Sequence, residues 1–171
     1  AVVSLLSIYN EILENHPQHL EVLHRGFPLY QRKEEGDSRE KGSVSRMRIP
    51  TFTEKEGRMT AWLNLKLAEL ASEVSNSPYS DAESKALKAV EEIAERDEFK
   101  FSFRLAPGDM IIFNNFSMMH KRSAFQDDPD PDKRRLMLRL WLNLHCADMP
   151  APEVAMLRTG FPHAAPIITA E

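Results

Sequence analysis

The chain has 171 residues, and acidic residues outnumber basic ones by 26 to 22, which gives a formal net charge of −4. Its length predicts a single domain over residues 1–171 with a buried core, and the acidic balance argues against a general nucleic-acid-binding surface. No apolar run approaches the roughly 18 residues that a membrane-spanning helix needs. The single cysteine excludes an internal disulfide and makes the reducing cytoplasm the simplest expected location.

The first third of the chain predicts a strand, two helices and a loop. Residues 1–6 are β-prone, and Ser7 can cap a helix over residues 8–14. Pro17 then predicts a second, short helix that ends at His24, with Gly26 as its stop. Residues 31–45 are charged and rich in Gly and Ser, without an apolar period. They predict a mobile loop that serves either as a solvated connection or as a substrate lid.

The middle of the chain predicts a hairpin and two helices. Residues 48–53 and 58–63 flank a turn that contains Gly57, a pattern typical of a β-hairpin. A helix is predicted over residues 65–72. Ser80 and Glu83 form a capping box for another helix, which we interpret as a packing element. Its apolar residues share one face: Ala86, Leu87, Val90, Ile93 and Ala94.

Three β-type segments follow residue 98. Aromatic and polar residues alternate over 99–104, and residues 110–113 predict a short buried strand. In residues 135–144 leucines occupy every second position, so Arg135 and Arg139 share the opposite face with their Cα atoms about 13 Å apart. That face predicts either the wall of an anion-binding cavity, since guanidinium groups pair with carboxylates, or a half-exposed strand with solvated arginines.

His120 ends a strand-and-loop segment that begins at residue 111. A lone histidine can be a structural residue, a surface residue or a metal ligand. Arg135 follows 15 residues later, after one polar loop. A histidine, a loop and a strand with two arginines on one face together favour a site more strongly than any of these features alone.

Residues 105–125, with Gly108-Asp109 and His120-Lys-Arg-Ser-Ala-Phe125, followed by residues 134–142, resemble a known family. They are similar to the C-terminal half of the taurine dioxygenase-like (TauD/TfdA) family of non-haem iron(II)- and 2-oxoglutarate-dependent dioxygenases. The resemblance implies an α+β, mainly β fold. Its core would be a double-stranded β-helix, or jelly roll, with flanking helices, incomplete at the N-terminus.

The resemblance also implies roles for individual residues. His120 matches the distal histidine of a 2-His-1-carboxylate iron site, and Arg135 matches the arginine that binds the far carboxylate of 2-oxoglutarate. Arg139 would lie beside the substrate or the cosubstrate, while Trp141 and Asn115 are candidate pocket-wall residues. The implied cofactors are Fe(II), 2-oxoglutarate and O2. The implied reaction oxidises a C–H bond of a small, anionic or amino-acid-derived metabolite and releases succinate and CO2.

The chain departs from the family pattern at the other two iron ligands, which an upstream His-x-Asp/Glu supplies in the family. Only His19-Leu20-Glu21 fits formally, and residues two apart in a predicted helix do not face each other. We therefore expect the motif to precede Ala1, so that the chain is the C-terminal portion of a dioxygenase. The alternative is a non-catalytic jelly-roll protein that binds a dicarboxylate or another anion. Neither the prime substrate nor the oligomeric state follows from the sequence.

Overall fold

The computed structural model describes residues 1–31, 42–140, 142 and 154, which form helices and small antiparallel sheets. The described elements, in chain order, are β1 (Val2–Ser4), α1 (Leu5–Asn15), α2 (Leu20–Arg25), β2 (Tyr30–Gln31), β3 (Ser43–Val44), β4 (Phe52–Lys55), β5 (Arg58–Ala61), α3 (Leu65–Val74), α4 (Asp81–Glu95), β6 (Lys100–Phe101) and β7 (Met118–His120). Short 3-10 turns lie at Pro17–His19 and Pro131–Lys133. No helix in this part of the chain is both long enough and apolar enough to cross a membrane.

The first two helices form largely where the sequence predicts them. Helix α1 begins earlier than expected, because the side chain of Ser4, rather than Ser7, is its cap and accepts a hydrogen bond from the Ser7 N–H at 3.2 Å. The earlier start places Leu5 in the same buried stripe as Ile8 and Ile12. Helix α2 ends against Gly26, as predicted.

The predicted loop over residues 31–45 falls mostly outside the described residues. Its ends are inside them and form a small antiparallel sheet, in which Tyr30 pairs with Val44 and Gln31 with Ser43. The prediction of a loop was therefore wrong at these ends. Backbone pairing across the sheet decides the structure there, and the composition of a single segment does not reveal it.

The predicted hairpin is present as β4 and β5, which pair antiparallel from Phe52–Ala61 to Lys55–Arg58. The turn residues Glu56 and Gly57 have φ angles of 52° and 75°. Positive φ at both central residues matches the right-handed twist of the strands, which is why glycine is favoured there. The hairpin closes one side of the core.

The core lies between helices α1, α2 and α4 and the β4–β5 hairpin. The capping box of α4 is present as predicted, and the apolar face of this helix is buried. The largest fully buried side chains of the described residues belong to Phe27, Phe52, Leu5, Ile8, Ile12, Leu23, Leu29, Ile93 and Val90.

Glu83 connects the start of α4 to two arginines. Its carboxylate accepts hydrogen bonds from the Ser80 N–H at 2.8 Å and from the Ser80 hydroxyl at 2.7 Å. The same carboxylate pairs with Arg48 and, at 3.5 Å, with Arg25. Burial alone would raise the pKa of Glu83, but the hydrogen bonds from Ser80 and Arg48 and the charge of Arg48 outweigh it and lower the pKa.

We expect Glu83→Gln to reduce the free energy of unfolding at pH 7 by about 1–3 kcal/mol, because Gln can retain the cap but not the ionic contacts. The folded-state pKa lies below the ordinary value of 4.5, so this stabilisation is present above about pH 4.5 and is lost as the pH falls through the folded pKa. Urea unfolding at several pH values measures it. Glu92→Gln, which loses only an exposed pair with Lys88, is the control and should change stability by less than about 0.5 kcal/mol.

A three-stranded sheet lies beside this core in the order β6–β1–β7, with both neighbours antiparallel to β1. Val2 pairs with Phe101 on one side and with His120 on the other. Strand β6 is shorter than the predicted strand over 99–104, and Phe101 is 68% exposed. Of the predicted strand over 99–104, only Lys100 and Phe101 therefore pair with β1.

Two predicted strands do not form within the described residues. Residues 110–113 and 135–140 have no strand pairing there, and Met110, Leu138 and Leu140 are 81%, 84% and 83% exposed. The prediction of a buried strand at 110–113 was wrong. The leucines of 135–144 were predicted to pack against a core, and this was wrong for those that the structure describes, up to residue 140 and at Leu142. Alternation assigns faces to a strand, but a strand also needs a partner, and no described segment pairs with these two. The jelly roll therefore stays a prediction.

Candidate functional site

His120 lies at the end of β7, where antiparallel pairing with β1 holds its backbone. It faces Val2 across the antiparallel register of β1 and β7. The Lys121 N–H donates to the carbonyl of Ala1 at 3.0 Å, and the Ala1 amino group donates to the carbonyl of Lys121 at 3.0 Å. These bonds fix the position of His120 at the end of a strand, whereas the sequence predicted it at the end of a strand-and-loop segment that begins at residue 111.

The turn before β7 is built by Asn114. Its side-chain oxygen accepts from the Phe116 N–H at 2.9 Å, and its carbonyl accepts from the Ser117 N–H at 3.2 Å. The turn is fastened to the core because the Phe116 carbonyl accepts from the Ala61 N–H, at 2.8 Å. Asn115 lies half-buried within this turn, and its role as a pocket wall stays a prediction.

The imidazole of His120 packs against an aromatic ring, with 5.0 Å between its centroid and that of Phe113. Partial burial lowers the pKa of His120, and the charge of Arg139 lowers it further. The neutral imidazole is therefore favoured, and this is the form that ligates a metal. The structure also brings Arg139 close enough to His120 for its charge to act on the ring.

An open apolar cleft of about 360 Å³ lies against the β6–β1–β7 sheet, and His120 is not among the residues that line it. Phe113 belongs both to the wall of the cleft and to the contact with His120. The remaining lining comes from Val2, Phe101, Phe103, Met118 and residues 110–112. The sequence reasoning missed the cleft, because it assigned several of these side chains to buried strand faces.

Three arginines that follow His120 in the chain have no acidic partner among the described residues. Within residues 1–31 and 42–140, no carboxylate forms an ion pair with Arg122, Arg135 or Arg139. The guanidinium carbons of Arg122 and Arg135 instead lie 4.3 and 5.5 Å from the centroid of the Phe125 ring. Guanidinium groups without a carboxylate partner fit the anionic ends of a dicarboxylate such as 2-oxoglutarate.

The described residues do not complete an iron site. They contain no group of three His, Cys, Asp or Glu side chains that could hold a metal ion. His19 ends a 3-10 turn and Glu21 lies in α2, so this formal His-x-Glu pair is in helical backbone, where residues two apart do not face each other. His120 is thus one candidate ligand, and Trp141 lies outside the described residues.

Comparison with known proteins gives the family. The family model described as "Taurine catabolism dioxygenase TauD, TfdA family" matches residues 1–141. The chain belongs to this family. The family membership that the sequence resemblance predicted is therefore confirmed, over a range that includes His120, Arg135 and Arg139.

Two curated proteins are similar in sequence to this TauD/TfdA chain. FR-33289 synthase from Streptomyces rubellomurinus is 32% identical over 146 residues, which are 84% of this chain and 42% of the relative. The taurine hydroxylase-like protein SAT17 from Stachybotrys chartarum is 31% identical over 142 residues, 78% of this chain and 33% of the relative. The TauD/TfdA chain thus spans less than half the length of either relative.

Proposed function

We propose that the full-length protein is a non-haem iron(II)- and 2-oxoglutarate-dependent dioxygenase that oxidises a C–H bond of a small metabolite. In the hydroxylation form of this reaction, 2-oxoglutarate, O2 and the substrate R–H become succinate, CO2 and R–OH, and the atoms balance. Desaturation and ring closure are the other outcomes open to the same oxidant. Iron and 2-oxoglutarate would supply the oxidising chemistry, and the protein would supply binding and orientation.

The observation that carries this proposal is the surroundings of His120 within the family-matched range. A histidine biased toward its neutral form stands on a strand, with Arg139 nearby, and it packs against Phe113, which also lines an apolar cleft. Neutral imidazole is a common metal ligand, and unpaired guanidinium groups suit an anionic cosubstrate. Residues outside the described part would have to provide the remaining iron ligands.

In the proposed site, the chain's own residues bind and orient the reactants. Arg135 holds the far carboxylate of 2-oxoglutarate, and Arg139 binds either that cosubstrate or an anionic group of the substrate. The ring of Phe113 packs against one side of the His120 imidazole. A substrate with an anionic group agrees with the name of one relative, a taurine hydroxylase-like protein, and we propose a small carboxylate or sulfonate.

The test measures succinate formation from 2-oxoglutarate by the full-length protein with Fe(II) and O2. Iron-dependent and O2-dependent succinate formation supports the dioxygenase. Tight binding of 2-oxoglutarate without any succinate, under the same conditions, would instead establish the non-catalytic anion-binding protein. Small carboxylates and sulfonates are then added in turn, and the substrate is the compound that increases succinate formation.

A cytoplasmic location stays a prediction that rests on the single cysteine.

We expect Arg135→Leu to weaken 2-oxoglutarate binding at least about thirtyfold, because a charge-assisted contact to the carboxylate is lost. Titration of the full-length protein with 2-oxoglutarate, in the presence of Mn(II) to prevent turnover, measures this. Lys88→Leu is the control, since Lys88 is exposed on α4, where it pairs with Glu92, and its loss should leave the affinity within about twofold. Unchanged affinity in Arg135→Leu would rule out the role proposed for Arg135.

A further inference from the structure

Two guanidinium groups share one aromatic ring next to the candidate site. The guanidinium carbon of Arg122 lies 4.3 Å from the Phe125 centroid, and that of Arg135 lies 5.5 Å from it. Both distances are within the roughly 6 Å range of a cation–π contact. Arg122 is two residues after His120, so the arrangement connects the histidine strand to the segment that carries Arg135.

Local hydrogen bonds shape the loop that connects Arg122 and Phe125 to Arg135. The Asp128 side chain accepts from the Asp130 N–H at 2.9 Å, and the Asp130 side chain accepts from the Asp132 N–H at 3.1 Å. Asp130 thereby caps the 3-10 turn at Pro131–Lys133. Arg134 closes the loop through its hydrogen bond to the Asp128 carbonyl, at 3.2 Å. Local bonds therefore position the backbone just before Arg135.

Two like charges close to one ring repel each other, and an anion bound to both would offset that repulsion. Neither guanidinium group has a carboxylate partner in the described part of the chain, so no side chain there supplies that anion. A bound carboxylate would supply it. The ring contributes attraction for both cations.

We infer that Phe125 is a positioning residue that holds Arg122 and Arg135 together, so that both guanidinium groups bind the far carboxylate of 2-oxoglutarate. The inference rests on the proposed function, because it takes Arg135 as the cosubstrate anchor. It adds Arg122 as a second binding residue and assigns Phe125 an indirect role. Phe125 does not itself contact the cosubstrate.

The experiment measures KM for 2-oxoglutarate and kcat in iron-dependent succinate formation by the full-length protein. Phe125→Leu should raise KM about fivefold, the worth of a cation–π contact, and leave kcat within about twofold. Phe125→Tyr retains an aromatic face and should restore KM to within about twofold of the original value. A residue with a merely structural role would not give this separation of KM from kcat together with rescue by tyrosine.

Arg122 is tested in the same assay. Arg122→Gln should raise KM for 2-oxoglutarate about fivefold or more, because one charge-assisted contact is lost. Lys88→Gln is the control, since it removes an exposed positive charge that pairs with Glu92 on α4, and its KM should stay within about twofold.

The outcomes separate this inference from the proposed function. If Arg135→Leu raises KM but Phe125→Leu and Arg122→Gln do not, the inference is overturned and the anchor role of Arg135 stands. Equal increases in Phe125→Leu and Phe125→Tyr would also overturn it, because the aromatic face would then be irrelevant. If Arg135→Leu itself leaves KM unchanged, the proposed anchor fails first.

Discussion

Replacing Gly26 with Ala is expected to reduce the free energy of unfolding by more than about 3 kcal/mol. Gly26 follows α2 with φ of 74° and ψ of −164°, a region that is essentially restricted to glycine. A Cβ atom built there would lie 2.0 Å from the carbonyl oxygen of Ile49. Both the backbone conformation and the contact with backbone atoms therefore oppose any side chain.

The close approach at Gly26 joins two parts of the core. The Phe27 N–H donates to the Ile49 carbonyl at 3.1 Å, and the Ile49 N–H donates to the Phe27 carbonyl at 2.8 Å. Arg48 adds a hydrogen bond from its Nε to the Gly26 carbonyl at 2.9 Å. A shift that relieved the clash would strain these bonds, which is why we expect a loss larger than the cost of the φ angle alone.

Urea unfolding, followed by circular dichroism, measures the Gly26→Ala effect. Gly57→Ala is the matched control: Gly57 has φ of 75°, but nothing lies within 4 Å of a Cβ built there. Its cost should be about 1 kcal/mol, the penalty of a positive φ without a clash. If the two variants lost equal stability, the contact with Ile49 would be irrelevant.

Replacing His120 with Ala is expected to lower iron-dependent succinate formation by the full-length protein at least about 100-fold. Losing even a group that supports a metal ligand typically costs 10- to 100-fold, and losing the ligand itself should cost more. The fold should survive, because His120 is only partly covered, by the ring of Phe113, and the strand is held by backbone bonds to β1. Stability should therefore change by less than about 0.5 kcal/mol.

Bound iron, measured by elemental analysis, and succinate formation are followed together for His120→Ala. His19→Ala is the control, since His19 lies at the end of a 3-10 turn on the helical side of the molecule and should retain both iron and turnover. Full iron content with full turnover in His120→Ala would remove His120 from the metal site and, with it, the main support for the proposed chemistry.

The helices and the hairpin could be read from the sequence because their signals are local. The capping box at Ser80 and Glu83 lies within one turn of α4, and the positive-φ turn at Glu56 and Gly57 lies between two adjacent strands. Capping and tight turns depend on residues three or four positions apart, so a single segment contains all that is needed. Among the helices, the main error was the start of α1, which is capped by Ser4 instead of the predicted Ser7.

The predicted strands near the C-terminus could not be settled in the same way. A period of two tells which side chains share a face, yet pairing requires a second segment that lies far away in the chain. Neither residues 110–113 nor residues 135–140 find such a partner in the described part, and their apolar side chains are exposed. The same non-local dependence hid the cleft beside Phe113.

The sequence by itself determined the family and the helix boundaries to within a few residues. These follow from motifs and from contacts between residues close in the chain. Only the tertiary structure decided that β1 lies between β6 and β7, that Arg139 acts on His120 and that Arg122 and Arg135 meet at Phe125. Each of these depends on chain segments that only folding brings together, and loop geometry and backbone pairing set their distances.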